Sequence, residues 1–518
     1  DEALYMMALA LKNSEFKSPN SDLYYNLLRM LEKETLIRPS YIANAALSLI
    51  KLEPKIKIIL KKQENIKLDD NFISIISDLS KSTLLMKLMS VSKIPDLAFE
   101  KIFEKIRYSF LVDIYSIPNI LEVLNFKISL VLQCLMNEYL YKESNEESNK
   151  LKALEKSIEK MLKSGKQPPL ILVLCFASYR YLNNYKWSSL INFPKEFKNI
   201  EKLLIHDRIK EQELTSEIPI LYKIDNEVSR KVKKQYEENP YPRWTSTPLN
   251  LQPFTISQMV KKSDLRLMNN NIISVSNPDI FVAGCGTGQH SISTASRFKN
   301  SNVLAIDLSM KSLAYAKRKT QELKIDNIEY IQADILNFAK SDKQFDIVES
   351  CGVLHHMDDP MAGWRVLVDL LKDGGLMLIG LYSKIARENI TQIRNEIKSY
   401  DISSDDLGMR LFREKIINSE QSHHKMILKS QDFYSLSDFR DLLFHEQEVH
   451  FTLPEIKKCL SLLNLKFCGF ESFNQMGLFK AENLEVDDIC NLDKWSDFEE
   501  KNRSSFAGMY QFWCQKIK

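Results

Sequence analysis

Hydrophobic residues in the first 225 positions recur with the spacing of helices. Leu23, Leu27, Leu28 and Leu31 fall at i, i+4, i+5 and i+8, which places them on one side of a helix. Prolines recur between such stretches, where they fit turns that connect helices. The pattern predicts an all-α helical array over residues 1–225, in which no repeat of fixed length is evident.

Beyond residue 255 the pattern changes to alternating strands and helices. Short apolar strands are predicted at Ile280–Ala283, Val303–Ile306, Ile328–Ile331, Asp346–Glu349 and Gly375–Leu381. Helices are predicted between them at Gln289–Phe298, Met310–Leu323 and Met361–Leu371. Strands that alternate with helices favour a parallel, doubly wound α/β sheet, which we assign to residues 256–383.

A connector joins the two regions. The stretch Tyr236–Trp244, YEENPYPRW, contains two prolines and three aromatic residues, which are unfavourable within a helix. It predicts an extended connector over residues 226–255.

The C-terminal part is predicted to complete the sheet after an insertion. Residues 384–462 are too many for one crossover and predict a mainly helical cap or lid. Leu465–Glu471 and Met476–Ala481 predict a final strand hairpin, which together with a C-terminal helix makes up residues 463–518.

Composition narrows the classes of function. Lys and Arg number 71 and Asp and Glu 68, a net charge of +3, and no basic stripe with interleaved aromatic residues is present. We therefore expect no nucleic-acid partner. The eight cysteines are scattered without a C-x-x-C pair, which is typical of reduced thiols in a cytoplasmic protein and predicts no metal site. No apolar run approaches the length of a membrane span, so no membrane partner is expected.

The glycines point to a ligand. Only Gly165 lies in residues 1–250, whereas Gly284, Gly286 and Gly288 fall within five positions directly after the first predicted strand. Glycines there permit a tight turn and a close approach of the backbone to a bound molecule. Asp307 ends the next strand, where a carboxylate can accept hydrogen bonds from both hydroxyls of a ribose.

Several segments together resemble class I S-adenosylmethionine-dependent methyltransferases. They are VAGCGTG at 282–288, AIDLS at 305–309, ADIL at 333–336, FDIVESCGVLHHM at 345–357 and KDGGLMLIGLY at 372–382. The resemblance implies a Rossmann-like, seven-stranded and mostly parallel sheet. It also implies S-adenosyl-L-methionine as the cofactor and S-adenosyl-L-homocysteine as the product.

The resemblance also implies which residues contact the cofactor. The glycine loop with Thr287 would approach its methionine part, and the strand ends would hold its ribose, its adenine and its amino-acid end. The residues implied are Gly284, Gly286, Thr287 and Gly288; Asp307 for the ribose, with Leu308 beside it; Asp334 for the adenine, with Ile335 beside it; and the backbone of Ser350 and Cys351. Many such enzymes carry a carboxylate where this chain has Val282, so another group must orient the ammonium end.

The connector has two interpretations. Tyr236, Tyr241 and Arg243 would close over the cofactor carboxylate, because an arginine fork binds carboxylates in a bidentate way. The alternative is a purely structural clamp between domains.

The acceptor site has several candidate residues. His355 and His356 follow the fourth strand near the transfer centre, and one could act as a general base; the alternative is a polar pair that begins a helix. Further catalytic candidates are His445 and Glu446. Candidate substrate-binding residues are Tyr382, Arg387, Arg440 and Glu448, although the charged residues near 440–450 also fit the solvated side of an amphipathic helix.

The chain as a whole resembles methyltransferases fused to an N-terminal tetratricopeptide-like helical domain. The resemblance rests on QYEENPYPRW at 235–244, LYSKIAR at 381–387 and FYSLSDFRDLLFHEQEVHFTLPEI at 433–456. It implies a methyltransferase that acts on a small molecule or on a peptide or protein side chain, with a helical domain for recognition or homodimerisation. The alternative is a non-catalytic scaffold that senses the cofactor and binds protein partners through its helices.

Overall fold

The computed structural model describes residues 1–12, 14–62, 72–118, 120–250, 252–471 and 475–517. Leu251 of the predicted connector and residues 472–474 of the predicted hairpin thus lie outside the described part. The chain forms two compact units. A helical unit comprises Asp1–Lys210, Arg243–Pro248 and Ile402–Leu442, and a sheet unit comprises Glu211–Pro242, Leu249–Asp401 and Leu443–Lys518.

Helices occur in both units, from the first residues to the region before the last strand. In chain order they are α1 (Glu2–Leu11), α2 (Ser21–Leu31), α3 (Ala43–Ile50), α4 (Pro54–Lys62), α5 (Phe72–Ser80), α6 (Thr83–Val91), α7 (Leu97–Val112), α8 (Leu121–Met136), α9 (Asn145–Lys163), α10 (Leu170–Ala177), α11 (Lys198–Glu201), α12 (Asp207–Leu214), α13 (Glu227–Glu238), α14 (Ile256–Lys262), α15 (Gln289–Arg297), α16 (Met310–Glu322), α17 (Pro360–Asp369), α18 (Glu388–Ser399), α19 (Asp406–Ile417), α20 (Ser422–Ile427), α21 (Leu436–Phe444), α22 (Leu453–Leu462), α23 (Met476–Glu482) and α24 (Leu492–Lys501). None of the described helices is both long and apolar enough to cross a bilayer.

The helical unit is built as its hydrophobic spacing predicts. Leu27 and Leu31 of α2 are buried in its core, and Leu23 and Leu28 pack against that core. Side-chain caps start several of the helices. At α9, for example, Glu147 N donates to the hydroxyl oxygen of Ser144, and the Glu147 carboxylate accepts from the N–H of Ser144.

Part of the predicted lid belongs to the helical unit. Arg413 of α19 donates through both terminal nitrogens to the carboxylate of Glu100 on α7, at 2.6 and 2.8 Å, and both side chains are buried. Met409, Phe412 and Ile416 of the same helix are buried as well. The structure therefore divides the predicted 384–462 insertion, because Ile402–Leu442 packs with the N-terminal helices.

The sheet unit contains seven strands. They are β1 (Asp279–Ala283), β2 (Asn302–Asp307), β3 (Ile328–Gln332), β4 (Phe345–Cys351), β5 (Leu371–Leu381), β6 (Leu465–Phe470) and β7 (Tyr510–Lys516). Their order is β3-β2-β1-β4-β5-β7-β6, with β1 to β5 parallel and β7 antiparallel to both neighbours. This confirms the predicted Rossmann-like sheet. The strand order reverses between β1 and β4, and ligands of open α/β sheets bind at the carboxyl ends of the strands near such a point.

The predicted final hairpin is only half correct. Leu465–Glu471 forms β6, but Met476–Ala481 lies in α23, and the partner of β6 is the last strand, β7. Phe479 of α23 is fully buried and stacks on Trp495 of α24, with ring centroids 3.5 Å apart. Packing between these two helices thus determines the conformation of a short apolar segment whose periodicity is ambiguous.

The connector also differs from its prediction. Helix α13 continues through Tyr236 to Glu238, so the helix reaches well into residues 226–255. Residues 226–238 carry no proline, whereas Pro240 disfavours a helical conformation at Asn239. The helix therefore ends at the first proline rather than before the aromatic residues.

Candidate functional site

The loop after β1 is closely surrounded by the protein itself. Gly284, Gly286 and Gly288 all have positive φ, at 72°, 53° and 86°. A Cβ at Gly284 would lie 2.3 Å from the side chain of Val353, and one at Gly286 would lie 2.8 Å from the carbonyl oxygen of Tyr241. These positions therefore require glycine because of both backbone conformation and crowding.

Asp307 connects this loop to the end of β2. Its Oδ2 accepts from Gly286 N and its Oδ1 accepts from Ser309 N, both at 2.8 Å. Burial raises the pKa of the Asp307 carboxyl to about 6, against the effect of these backbone donors. Each oxygen retains a further lone pair, so the carboxylate can still accept hydrogen bonds from two hydroxyls of a ligand.

The end of β3 places the predicted adenine-side residues at the same edge. Asp334 is buried, and its Oδ1 accepts from Leu336 N at 3.0 Å to cap the short 3₁₀ helix that starts at Ile335. Leu308 is half-buried, and its carbonyl accepts from Gln332 Nε2 at 2.8 Å. One oxygen of Asp334 thus has a structural role, and the other can accept from a ligand amino group.

The end of β4 carries an unsatisfied polar atom. The hydroxyl of Ser350 is fully buried and has no hydrogen-bond partner in the described part of the chain. Burial raises the pKa of the Cys351 thiol well above its usual value, which excludes a reactive thiolate. Together with the positive-φ loop and the lone pairs of Asp307, this orphaned hydroxyl fits an edge that holds a polar ligand such as S-adenosyl-L-methionine.

The connector contacts the loops of this edge. Thr287 Oγ1 donates to the carbonyl oxygen of Pro242, and Ser309 Oγ donates to that of Tyr236 at 3.1 Å. The rings of Tyr236 and Tyr241 stack with their centroids 6.4 Å apart. The structure thus brings both tyrosines and Thr287 together beside Asp307, with Thr287 bonded to the connector.

Arg243 is placed differently from its two predicted partners. It belongs to the helical unit, where its Nε lies 2.7 Å from Oε1 of the buried Glu138. The guanidinium therefore has a carboxylate partner within the protein. Its predicted role over the cofactor is replaced by a structural ion pair.

Two histidines of the sheet unit stack on each other. His356 follows β4 and His445 follows α21, and their ring centroids lie 3.6 Å apart with an interplanar angle of 18°. His356 Nδ1 lies 2.7 Å from the carbonyl oxygen of Gln447, whose N–H donates to His445 Nδ1 at 3.1 Å. His445 Nε2 lies 3.1 Å from the hydroxyl of Tyr236. This set joins the connector to the end of β4.

A second aromatic layer lies beside the first. His355 is fully buried, stacks on Tyr382 at 4.1 Å and contacts the edge of His356 at 4.3 Å. Neither ring nitrogen of His355 has a hydrogen-bond partner among the described residues. The Arg387 guanidinium lies 3.4 Å from the centre of the Tyr382 ring. The structure therefore unites the predicted residues that follow β4 and β5.

A buried ion pair borders this cluster. Glu448 accepts from Arg394 Nη1 at 3.4 Å and lies 2.6 Å from His450 Nε2. Despite burial, the hydrogen bond from His450 and the nearby arginine charges lower the pKa of Glu448 to about 2. Arg394 also donates to the carbonyl oxygen of His445 at 2.7 Å. Glu448 thus already has Arg394 as a cationic partner and His450 as a hydrogen-bond partner, unlike the acceptor-binding carboxylate that the sequence predicts.

Two further predicted residues have different partners. Glu446 is exposed, and its backbone N–H donates to Gln235 Oε1. Arg440 belongs to the helical unit, where it donates to the carbonyl oxygen of Ser404 at 2.9 Å.

Sequence reasoning missed Arg394 and Gln447. Arg394 lies on α18, seven residues or two helical turns after Arg387, and this spacing could have indicated that both lie on the same side of the helix. Gln447 acts through its backbone N–H and carbonyl groups, which its residue type does not reveal.

Comparison with known proteins finds a family match within the sheet unit. Residues 280–375 match a family described as "Methyltransferase domain". An uncharacterised protein of Synechococcus is 27% identical over 236 residues, which cover 43% of this chain and 56% of that protein. Malonyl-[acyl-carrier protein] O-methyltransferase 2 of Ilyobacter polytropus is 26% identical over 175 residues, or 32% of this chain and 63% of that enzyme. The chain thus spans less than two thirds of these relatives.

Among the solved structures that match the chain is PKMT2 from Rickettsia typhi in complex with AdoHcy. It is 18% identical, with a TM-score of 0.39, and the match covers 54% of this chain and 56% of that chain. The family match spans β1 to β4 and the start of β5. Residues 280–375 of the sheet unit thus match a methyltransferase domain, which supports the predicted resemblance to S-adenosylmethionine-dependent methyltransferases.

Proposed function

We propose that the chain transfers a methyl group from S-adenosyl-L-methionine to a small molecule or to a peptide or protein side chain. The proposal rests on the contacts of Tyr236. Its carbonyl oxygen accepts from Ser309, next to Asp307, while its hydroxyl lies 3.1 Å from His445 Nε2. One residue thereby connects the cofactor-side loops with the buried histidine cluster, where an acceptor would bind.

The cofactor would be held by the ends of the parallel strands. Asp307 would accept from the ribose hydroxyls, Asp334 from the adenine amino group, and Ser350 would bond to the amino-acid end. When bound, the cofactor supplies a methyl group on a positively charged sulfur. Methyl transfer needs alignment of donor and acceptor and exclusion of water, which the buried aromatic layers favour.

The helical unit would serve recognition of the acceptor or formation of a homodimer. Its helices would form a tetratricopeptide-like array that presents a surface to a peptide. We place the protein in the cytoplasm, because all eight cysteines are free thiols.

The first experiment removes the Asp307 carboxylate. Asp307→Ala should weaken binding of S-adenosyl-L-homocysteine at least about 100-fold in calorimetry, because two charge-assisted hydrogen bonds are lost. Asp326→Ala is the matched control, since Asp326 is an exposed carboxylate just before β3, at the opposite end of the strands. Equal affinities for the wild type and Asp307→Ala would contradict the cofactor assignment.

Turnover separates an enzyme from a cofactor-sensing scaffold. Wild-type protein incubated with methyl-labelled S-adenosyl-L-methionine and a cell extract should release S-adenosyl-L-homocysteine and label an acceptor. Tight cofactor binding without any transfer would instead favour the scaffold.

A further inference from the structure

The stacked His356–His445 pair has its hydrogen-bonding pattern fixed by one residue. Gln447 contributes its carbonyl oxygen to His356 Nδ1 and its N–H to His445 Nδ1. A carbonyl oxygen can only accept and a backbone N–H can only donate. His356 therefore carries a proton on Nδ1, whereas His445 has a lone pair there.

The opposite nitrogens follow from the charge state of the rings. Burial lowers the pKa of His356 to about 4 and that of His445 well below its usual value, with Arg394 contributing to both shifts. Both rings are thus neutral near pH 7. His445 then has its proton on Nε2 and donates to the Tyr236 hydroxyl, while His356 Nε2 presents a lone pair.

The lone pair on His356 Nε2 makes no hydrogen bond within the described part of the chain. Among the hydrogen bonds of the described residues, that of His356 joins its Nδ1 to the Gln447 carbonyl oxygen, and none joins its Nε2. The ring is held in place by the Gln447 carbonyl, by the stack with His445 and by the edge of His355. A buried and oriented imidazole with an open lone pair is suited to accept a hydrogen from a ligand.

We propose that His356 Nε2 accepts the hydrogen of an amine or hydroxyl acceptor, and that the fixed tautomers of His356 and His445 select such acceptors over carboxylates. This inference rests on the proposed methyl transfer and specifies the chemical class of its acceptor. Gln447, His445 and Arg394 are positioning residues, because they act through the orientation and charge of His356.

The transfer step balances with this assignment. The acceptor nitrogen or oxygen forms a bond to the methyl carbon, and the carbon–sulfur bond breaks with its electron pair left on sulfur. The acceptor's proton moves to His356 Nε2. The positive charge of the sulfonium thus becomes the charge of the imidazolium, and solvent afterwards removes the proton.

A carboxylate acceptor does not match this arrangement. It has no hydrogen to donate at neutral pH, and its lone pairs would face that of His356 Nε2. The charge of Arg394 is already paired with Glu448 at 3.4 Å. A carboxylate would instead depend on Arg387, which lies over the Tyr382 ring.

Base stability of the transferred methyl group tests the acceptor class. Full-length protein is incubated with methyl-labelled S-adenosyl-L-methionine and a cell extract, and the products are treated with dilute alkali. We expect the label to stay on the acceptor, because methyl amines and ethers resist alkali. Release of labelled methanol would reveal a methyl ester and overturn the proposal.

Substitution tests the role of His356 itself. His356→Asn should lower transfer between about 100-fold and 10,000-fold, while the affinity for S-adenosyl-L-homocysteine stays within twofold. His206→Asn is the control, since the His206 side chain is 59% exposed in the helical unit. Unchanged transfer by His356→Asn would overturn the inference about His356 and leave the methyltransferase assignment intact. If the wild-type protein did not bind S-adenosyl-L-homocysteine, the methyltransferase assignment itself would be overturned.

Nitrogen NMR tests the tautomers without any acceptor. In full-length protein with ¹⁵N-labelled histidine, assigned through the single variants, His356 should be protonated on Nδ1 and His445 on Nε2 between pH 6 and 8. An imidazolium at either position near pH 7, or the reverse tautomers, would contradict the proposal.

Discussion

At the residue scale, the charge of the Asp307 carboxyl depends on pH in the range where the cofactor would bind. Burial and the neighbouring Glu237 raise its pKa to about 6, while the N–H groups of Gly286 and Ser309 favour the ionised form. Ribose hydroxyls donate to the ionised carboxylate, so binding should lower its pKa. Cofactor affinity should therefore be full above pH 7 and fall as the pH drops through about 6, by up to tenfold per pH unit.

Calorimetry with S-adenosyl-L-homocysteine between pH 5 and 7 measures this dependence. The ligand's own amino and carboxyl groups keep their charges in that range. Asp307→Asn should bind weakly at every pH, with the slope removed. A slope that persists in this variant would assign the titration to another group.

Only some residues of the candidate site could be placed from the sequence. Asp307 and the three glycines follow strands in a local motif, so their placement at one edge was predictable from chain order. The partnership of His356 and His445 was not, because 89 residues separate them and Gln447 joins them through its backbone. An arginine such as Arg243 can bind a ligand carboxylate, but in the structure Arg243 forms an ion pair with the buried Glu138.

At the element scale, regular periodicity predicted the parallel strands to within a few residues. The errors fall on short segments whose state depends on packing. Met476–Glu482 is a helix because Phe479 stacks on Trp495, and helix α13 extends to Glu238 because the first proline comes only at position 240. Neither the stacking partner nor the exact end of a helix can be deduced from alternation of apolar residues.

The contact between connector and glycine loop leads to a prediction about Gly286. Alanine there would have φ near 53° and its Cβ 2.8 Å from the Tyr241 carbonyl oxygen, whereas alanine at Gly165, with φ of 76°, would meet no atom within 4 Å. Gly165→Ala should therefore cost only the conformational strain, about 1–2 kcal/mol. Gly286→Ala should cost more in denaturant unfolding and weaken binding of S-adenosyl-L-homocysteine by at least about tenfold, or 1.4 kcal/mol.

This pair of variants separates strain from crowding. Equal losses of stability in both, with cofactor affinity unchanged in Gly286→Ala, would show that the connector moves aside without consequence. The connector would then have no part in shaping the cofactor loop.

At the scale of the whole molecule, the helical unit is assembled from three separate stretches of sequence. Residues 402–442 return to helices formed some three hundred positions earlier, and the buried pair of Arg413 with Glu100 links α19 to α7. Periodicity identifies each helix but not its partner, so sequence reasoning assigned this stretch to a lid over the sheet.

The buried pair gives the assembly a direct test. Glu100→Gln removes the carboxylate that both terminal nitrogens of the buried Arg413 guanidinium bind, which costs up to about 3–5 kcal/mol. Because Arg413 also donates to the carbonyl oxygen of Phe433 at 3.0 Å, the loss should spread through residues 402–442. Hydrogen exchange should accelerate in α7 and α19 while β1 to β5 keep their protection. Glu420→Gln, at a side chain that is 90% exposed, should change neither. Unaltered exchange in α19 would mean that packing of its apolar residues alone, and not the ion pair, holds this returning segment in the helical unit.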